Sequence, residues 1–185
     1  MGRPKQLLEL EGRPLLQHVI DSAAVTLMDV VVVLGHAADE VVSVLRLPPG
    51  VTVVVNPRYA EGQSTSLQAG LARMPESAAA AVVLLGDQPE VRADAIRAVV
   101  RAQAEGDAVV LRAAYGGRPS HPVVLARAVW PEVAALGGDA GARALIAAHA
   151  GGVALVEVGG VPPEDIDTPE DLERLLARRI SPSAG

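Results

Sequence analysis

The sequence has no cysteine, no phenylalanine and few aromatic residues of any kind. The absence of cysteine excludes disulfide bonds, thiolate catalysis and cysteine-ligated metals. Aromatic residues make up 2% of the 185 residues, while half of the chain is hydrophobic, so the core must be built from aliphatic side chains. Few aromatic rings are left to stack on a flavin, which disfavours a flavodoxin-like redox domain.

Basic clusters and long apolar runs are missing as well. Lys5 is the only lysine, the net charge is −6 and the isoelectric point is near 5.2, so the chain lacks the basic face of a nucleic-acid-binding protein. No apolar run reaches the roughly 18 residues that a membrane span needs. Residues 1–14 carry no apolar signal segment. We therefore expect no nucleic-acid partner, no membrane association and a cytoplasmic location.

Short apolar runs alternate with helical patterns along nearly the whole chain. Runs such as Val30–Leu34 and Val51–Val55 are typical of strands buried on both faces. Strands joined by helices form right-handed crossovers, so the sequence predicts an α/β, Rossmann-like three-layer sandwich with a mostly parallel sheet. Gly116-Gly117 predicts a hairpin or an irregular excursion. We expect a single domain over residues 1–180 and a flexible tail at 181–185.

Capping patterns predict where three of the helices begin. Thr65 and Gln68 have the spacing of a capping box. Asp139 stands where it could cap the next helical stretch. Thr168 is a good cap residue, a proline occupies the first helical position after it, and Asp171 supplies an acid three residues on. This combination predicts the start of the last helix.

Polar residues directly after the predicted strands are the first candidates for chemistry. Ligands of open α/β sheets bind beyond the carboxyl ends of the strands. Asn56, Asp87 and the pair Asp165 and Asp167 all occupy such positions. Two carboxylates that converge at one edge could hold Mg²⁺, which prefers a few carboxylates together with phosphate oxygens and water. Taken singly, each aspartate could equally end a strand or cap a helix.

Other candidates come from loop segments. Lys5 lies close to Arg3, and two cations in a glycine-containing stretch could neutralise a triphosphate, although a solvated tail would look the same. The small residues of segment 62–66 precede a helix and could approach a nucleotide or simply cap the helix. His121 follows the predicted turn and is a candidate contact for a second substrate. No HxxxH or HExxH pair occurs, which makes a zinc site improbable.

Taken in order, several segments resemble the signature motifs of MobA-like nucleotidyltransferases. They span nearly the whole chain: MGRPKQLLELEGRPLLQHV at 1–19, NPRYAEGQSTSLQAGL at 56–71, LLGDQP at 84–89, GGRPSHPV at 116–123, GGDAGARALI at 137–146 and DIDTPEDL at 165–172. The form of the motifs at 84–89 and 137–146 is similar to the molybdenum cofactor cytidylyltransferase branch.

The resemblance implies a role for each matching residue. It implies that Asp87 is the principal Mg²⁺ ligand, that Asp167 is the second carboxylate with Asp165 as its substitute, and that Lys5 acts with them in catalysis. The remaining residues are implied to bind substrates: Arg3, Asn56, Gly62, Ser64 and Ser66 on the nucleotide side, and His121, Asp139 and Arg143 on the pterin side.

The activity implied by the resemblance is the transfer of a nucleotidyl group to the phosphate of molybdopterin, with release of pyrophosphate. CTP is the favoured nucleotide and GTP the less favoured one, and Mn²⁺ can replace Mg²⁺. A molybdoenzyme that receives the cofactor is a further implied partner. Two alternatives stay open: a nucleotidyltransferase for another small acceptor, and a non-catalytic accessory protein that binds or inserts the cofactor.

The chain departs from the family pattern at its beginning. Members of the family open with an apolar strand and a Leu-Ala-Ala-Gly-type loop, which would precede Met1 and supply backbone N–H groups to the phosphates. We expect the usual first strand to be missing from this sequence and the natural start to lie upstream of Met1. Genuine loss of the strand, giving an impaired relative, is the alternative, and mass spectrometry of the native protein distinguishes the two.

Overall fold

The structure, a computed structural model, describes residues 5–180. The strands are β1 (Glu9–Leu10), β2 (Arg13–Pro14), β3 (Val30–Leu34), β4 (Val51–Val55), β5 (Ala80–Val83), β6 (Val110–Tyr115), β7 (Arg118–Ala126) and β8 (Val153–Glu157). The helices are α1 (Leu15–Ala24), α2 (Ala38–Val44), α3 (Gln63–Arg73), α4 (Ala93–Glu105), α5 (Trp130–Val133), α6 (Gly141–Ala148) and α7 (Pro169–Ile180). Arg3 and the predicted tail at 181–185 lie outside the described residues.

The main strands form two sheets. Strands β3 and β4 pair in parallel, and a four-stranded sheet has the order β5-β7-β6-β8. Strand β7 is antiparallel to both of its neighbours, whereas β5, β6 and β8 run in one direction. The α/β, Rossmann-like class is therefore confirmed, but the expected single, mostly parallel sheet is corrected to two sheets, the larger of them mixed. Among residues 5–180, β3 and β5 each have a ladder partner on one side only.

The antiparallel strand arises from the hairpin that the two glycines predicted. Gly116 and Gly117 both have positive φ, at 58° and 75°, which matches the turn that joins two antiparallel strands tightly. The chain therefore returns beside β6, and residues 123–126 also pair with β5. Of the two expected alternatives, a hairpin and an irregular excursion, the hairpin is the one that forms, and its second strand is central in the sheet.

Aliphatic side chains pack helices against both faces of the four-stranded sheet. On one face, Val110 and Val123 pack with Leu145 of α6. On the other, Leu111 packs with Val99 of α4. These clusters contain no phenylalanine, as the composition requires, and the packing gives three layers. No helix among residues 5–180 is both long and apolar enough to cross a bilayer.

Only one of the three predicted caps forms. Thr168 and Asp171 exchange hydrogen bonds at the start of α7: the N–H of Thr168 donates to the Asp171 carboxylate over 2.8 Å, and the N–H of Asp171 donates to the Thr168 hydroxyl over 3.2 Å. Helix α3 follows Gly62 without a side-chain cap, and Gln68 donates instead to the carbonyls of Val133 and Leu136. Helix α6 follows Ala140, also without a side-chain cap, so Asp139 does not cap it.

Candidate active site

Lys5, Asp87 and Asp167, the three residues predicted to be catalytic, meet at one edge of the larger sheet. The Nζ atom of Lys5 lies 2.6 Å from Oδ2 of Asp87 and 2.7 Å from Oδ1 of Asp167. Burial alone would lower the pKa of Lys5, but its hydrogen bonds to the two carboxylates and their negative charges outweigh burial and raise it. The ammonium is therefore firmly charged and bridges two carboxylates.

Backbone contacts hold the two carboxylates at the same place. Asp87 follows β5, and its carbonyl accepts a hydrogen bond of 2.9 Å from the N–H of Ile166. Ile166 is buried with Leu175 of α7, so the segment before α7 is anchored in the core. Asp167 comes next, and its N–H donates to Asp171 over 3.0 Å. The strand end and the helix start thus fix the separation of the two side chains.

The two carboxylates differ in their exposure. The side chain of Asp87 is 19% exposed and that of Asp167 is 60% exposed. The Oδ1 atom of Asp87 is buried, and no hydrogen-bond donor reaches it among residues 5–180. A buried carboxylate oxygen without a donor is costly, and a cation in the cleft would satisfy it.

These residues fit a divalent cation that arrives with phosphate oxygens. In the described part of the chain, no three His, Asp or Glu side chains converge to form a ligand set. Mg²⁺ is commonly held by one or two carboxylates, with substrate phosphates and water completing its shell. Asp87 and Asp167 supply that minimal set once the Lys5 ammonium turns away.

Asp165, the expected substitute ligand, has a different partner. Gln88 donates from Nε2 to Oδ1 of Asp165 over 2.7 Å. Gln88 is itself buried, and its Oε1 atom has no hydrogen-bond donor within the described range. This pairing holds Asp165 away from Lys5, which leaves Asp87 and Asp167 as the pair that the lysine bridges.

Asn56 organises the loop between β4 and α3. Its Nδ2 group donates to the hydroxyls of Thr65 and Ser66 over 2.8 and 3.1 Å, and its Oδ1 atom accepts from the N–H of Arg58 over 2.9 Å. Asn56 is 3% exposed, so its amide is fully used inside the protein. In the structure, the hydrogen bonds of the Asn56 side chain all go to the loop and the helix start that follow it.

Gly62 and Ser64 lie where this loop meets the segment before α6. Gly62 has φ +111°, and a Cβ atom there would sit 2.3 Å from the carbonyl carbon of Gly138. Only glycine allows the two backbones to approach so closely. Ser64 is fully buried, and its hydroxyl has no hydrogen-bond partner among residues 5–180. Ser66 is half-buried and bonded to Asn56.

The three residues expected on the acceptor side differ in how far they are exposed to solvent. Asp139 and Arg143 are exposed, whereas His121 is half-buried. Burial is the largest cause of the lowered pKa of His121, and the charge of Arg112 lowers it further. The carboxylates of Asp165 and Asp87 act in the opposite direction, and Arg143 acts with Arg112. His121 therefore lies within electrostatic reach of the acidic edge and of two arginines.

Comparison with known proteins shows which family the chain belongs to. The profile described as MobA-like NTP transferase domain matches residues 1–153. The chain belongs to the MobA-like NTP transferase domain family. The prediction that the chain is a nucleotidyltransferase is therefore confirmed at the level of the family.

Solved structures agree with this MobA-like domain over almost its full length. The crystal structure of Rv0371c from Mycobacterium tuberculosis is 31% identical, with 96% of this chain and 90% of that chain covered and a TM-score of 0.85. A second structure of Rv0371c, in complex with manganese, is 31% identical, with 94% and 91% covered and a TM-score of 0.80.

Curated relatives match the MobA-like domain over a shorter stretch. The bifunctional protein GlmU of Bordetella petrii is 33% identical over 109 residues, which are 58% of this chain and 24% of that protein. The chain thus spans about a quarter of the length of this relative.

Two polar residues of the MobA-like domain were missed by sequence reasoning. Gln88 directly follows Asp87, and no spacing rule connects it with Asp165, which is 77 positions away. Arg112 lies inside β6, and its Nε atom is buried without a partner in the described part of the chain. A signal for Arg112 was present, because a charged residue interrupts an otherwise apolar strand there.

Proposed function

We propose that this chain transfers a nucleotidyl group, with CMP favoured, from an NTP to the phosphate of molybdopterin or the molybdenum cofactor. The observation that carries the proposal is the cluster in which Lys5 bridges Asp87 and Asp167. In this cluster one cation and two carboxylates lie together beyond the carboxyl end of β5, in the region where ligands of α/β sheets bind. The choice of CTP and of the acceptor rests on the resemblance of the sequence motifs.

Asp87 and Asp167 would hold Mg²⁺, or Mn²⁺ in its place. When bound, the ion supplies charge neutralisation on the phosphates during phosphoryl chemistry. A relative crystallised as a complex with manganese supports a divalent cation for this chain. The buried, donor-free Oδ1 atom of Asp87 supports the same assignment, since it is the oxygen with the most to gain from a cation.

The residues of the chain then have separate tasks in the reaction. An acceptor phosphate oxygen attacks the α-phosphorus, the bond from that phosphorus to the oxygen bridging to the β-phosphate breaks, and pyrophosphate leaves with the electron pair. Lys5 donates hydrogen bonds to the departing phosphates, because its side chain can turn from the carboxylates toward them. Asn56 keeps the loop before α3 in shape, and Gln88 holds Asp165 in place. Such a reaction needs positioning and charge stabilisation more than covalent catalysis.

The test is a pair of calorimetric titrations, of Mg-CTP and Mg-GTP, into the wild-type chain and the Asp87→Asn variant. We expect wild type to bind CTP in preference to GTP. We expect Asp87→Asn to lower the rate of nucleotidyl transfer to molybdopterin by about 100-fold or more. The melting temperature should stay within about 3 °C of wild type, because the lost ion pair with Lys5 is partly exposed and an asparagine oxygen can still accept a hydrogen bond from Nζ.

Asp29→Asn is the matched control. Asp29 is exposed and directly precedes β3, at the opposite end of the strand from the site. It should change neither binding nor rate. If wild type binds neither nucleotide, or if Asp87→Asn unfolds the chain while activity per folded molecule is unchanged, the proposal is wrong. Binding of molybdopterin without nucleotide binding would favour the accessory protein instead.

A further inference from the structure

Arg112 is a charged, half-buried residue on an inner strand of the larger sheet. It lies on β6, opposite Val123 of β7 and Leu155 of β8. Its neighbours Leu111 and Ala113 belong to the cluster that packs against α4. Because successive strand residues point to opposite faces, the side chain of Arg112 lies on the other face, the one that α6 covers.

The guanidinium of Arg112 has no carboxylate partner among residues 5–180. Its Nε atom is buried, and no acceptor reaches it among residues 5–180. The pKa of Arg112 is lowered by burial, and no carboxylate counteracts this effect. A half-buried cation without a counterion is costly, and proteins usually pair such groups. The terminal nitrogens of Arg112 are therefore the groups that could bind an anion from outside the chain.

The neighbouring strand is distorted next to this arginine. Arg112 pairs with Val123, but the next residue of β6 pairs with Ser120, so His121 and Pro122 form a bulge in β7. Bulges often re-aim side chains beside active sites. His121 responds to the charges of Arg112 and Arg143 and also to those of Asp87 and Asp165. The surroundings of His121 thus have a basic side and an acidic side.

We propose that Arg112 binds the phosphate group of the acceptor and thereby selects anionic acceptors. This inference rests on the proposed function and deepens it, since it assigns the acceptor side of the same cleft. The acidic side, with Asp87 and Asp167, would hold the metal and the nucleotide. A phosphate monoester carries two negative charges and several acceptor oxygens, and a guanidinium can bind two of these oxygens at once through its two terminal nitrogens.

The experiment uses phenyl phosphate as a probe of the acceptor site. Its binding to the full chain is measured by calorimetry, with and without saturating Mg²⁺ and α,β-methylene-CTP, which cannot be cleaved at the reacting bond. The variants are Arg112→Gln, which removes the charge, and Arg112→Lys, which keeps the charge but loses the planar fork. Arg101→Gln is the matched control, because Arg101 is exposed on α4, on the opposite face of the sheet.

We expect Arg112→Gln to weaken phenyl phosphate binding at least about tenfold, with an unchanged affinity for α,β-methylene-CTP. Arg112→Lys should fall between wild type and Arg112→Gln. The melting temperature of Arg112→Gln should equal or exceed that of wild type, since the variant removes a half-buried charge that has no counterion among residues 5–180. A purely structural arginine would instead cost stability when it is replaced.

Three results would overturn the assignment of Arg112. Wild type fails to bind phenyl phosphate both with and without the nucleotide analogue; or the probe binds Arg112→Gln as well as wild type; or nucleotide affinity falls together with probe affinity, which would place Arg112 on the nucleotide side. Failure of the proposed function has a different signature: wild type does not bind the nucleotide analogue, while phenyl phosphate binding and its dependence on Arg112 can still be measured.

Discussion

Three aspartates at the candidate site are separated into two roles by their partners. Asp87 and Asp167 share the ammonium of Lys5, whereas Asp165 accepts from Gln88. One positive charge against two negative charges leaves the Lys5 cluster with a net charge near −1. An incoming triphosphate would add more negative charge, so nucleotide binding at this cluster should depend strongly on the accompanying divalent cation.

His121 offers a test of electrostatics at the scale of a single residue. Its pKa is lowered, mainly by burial, so the folded protein binds this proton less readily than the unfolded chain does. Below about pH 6.5 the unfolded state therefore takes up the proton first, and stability falls as the pH falls. We expect the melting temperature of His121→Gln to drop less than that of wild type between about pH 7.5 and about pH 5.

His36→Gln serves as the control for this prediction, because His36 is exposed in the loop after β3. It should follow the wild-type curve of melting temperature against pH. Parallel curves for wild type and His121→Gln would show that burial of His121 does not oppose its protonation.

At the scale of elements, the loop before α3 and the segment before α6 approach each other closely. Gly62 precedes α3 and touches Gly138, which precedes α6. A methyl group at Gly62 would meet backbone atoms 2.3 and 2.4 Å away, at a φ that side chains rarely adopt. We expect Gly62→Ala to lower the free energy of unfolding by about 1–3 kcal/mol and to weaken nucleotide binding. Urea denaturation and calorimetry measure the two effects.

Gly137→Ala is the matched control for Gly62→Ala. Gly137 lies in the same segment, has φ −134°, and a Cβ atom there meets nothing within 4 Å. Its stability should change by less than about 0.5 kcal/mol. Equal effects of the two substitutions would mean that the close approach of the loops is not what limits position 62.

The strand β7 shows what the sequence pattern left open at this scale. The two glycines predicted either a hairpin or an irregular excursion, and residues 118–122 contain two prolines, which are uncommon inside a sheet. The strand tolerates these prolines because Pro119 lies where only β6 is a neighbour and Pro122 lies in the bulge. By contrast, β3 and β4 were predicted to the residue, since their apolar runs are continuous and clearly bounded.

Local sequence rules predicted those residues of the candidate site that directly follow strands, but not the contacts that depend on tertiary packing. Asp87 and Asp167 follow from the rule that polar residues after parallel strands converge. The pairing of Gln88 with Asp165 depends on tertiary packing, which no local spacing encodes. Asn56 ends its strand as expected, but whether its amide is free for a ligand depends on the fold of the following loop. Thr65 likewise donates to the carbonyls of Arg58 or Gly62 rather than forming a capping box.

At the scale of the whole molecule, the two sheets should differ in local stability. Within residues 5–180, β3 pairs only with β4, whereas β6 and β7 are paired on both sides. In the described part of the chain, β3 and β5 each have one edge without a ladder partner. We expect the amides of β3 and β4 to exchange with solvent at lower opening free energies than those of β6 and β7.

Native-state hydrogen exchange read by mass spectrometry measures this difference. Helix α4, which packs on the larger sheet through Val99, provides an internal reference for global unfolding. Equal protection of the peptides that cover β3 and β6 would show that the two sheets open as one cooperative unit.

The link between Lys5 and Asp167 joins residues 162 positions apart in the sequence. During synthesis, the segment that carries the only lysine leaves the ribosome long before its second carboxylate does. The larger sheet can form in the meantime, but the reactive cluster is completed only when α7 docks and brings Asp167 into place. Catalytic competence should therefore appear late, after most of the secondary structure has formed, and recovery of activity during refolding should lag behind recovery of helical and sheet signal.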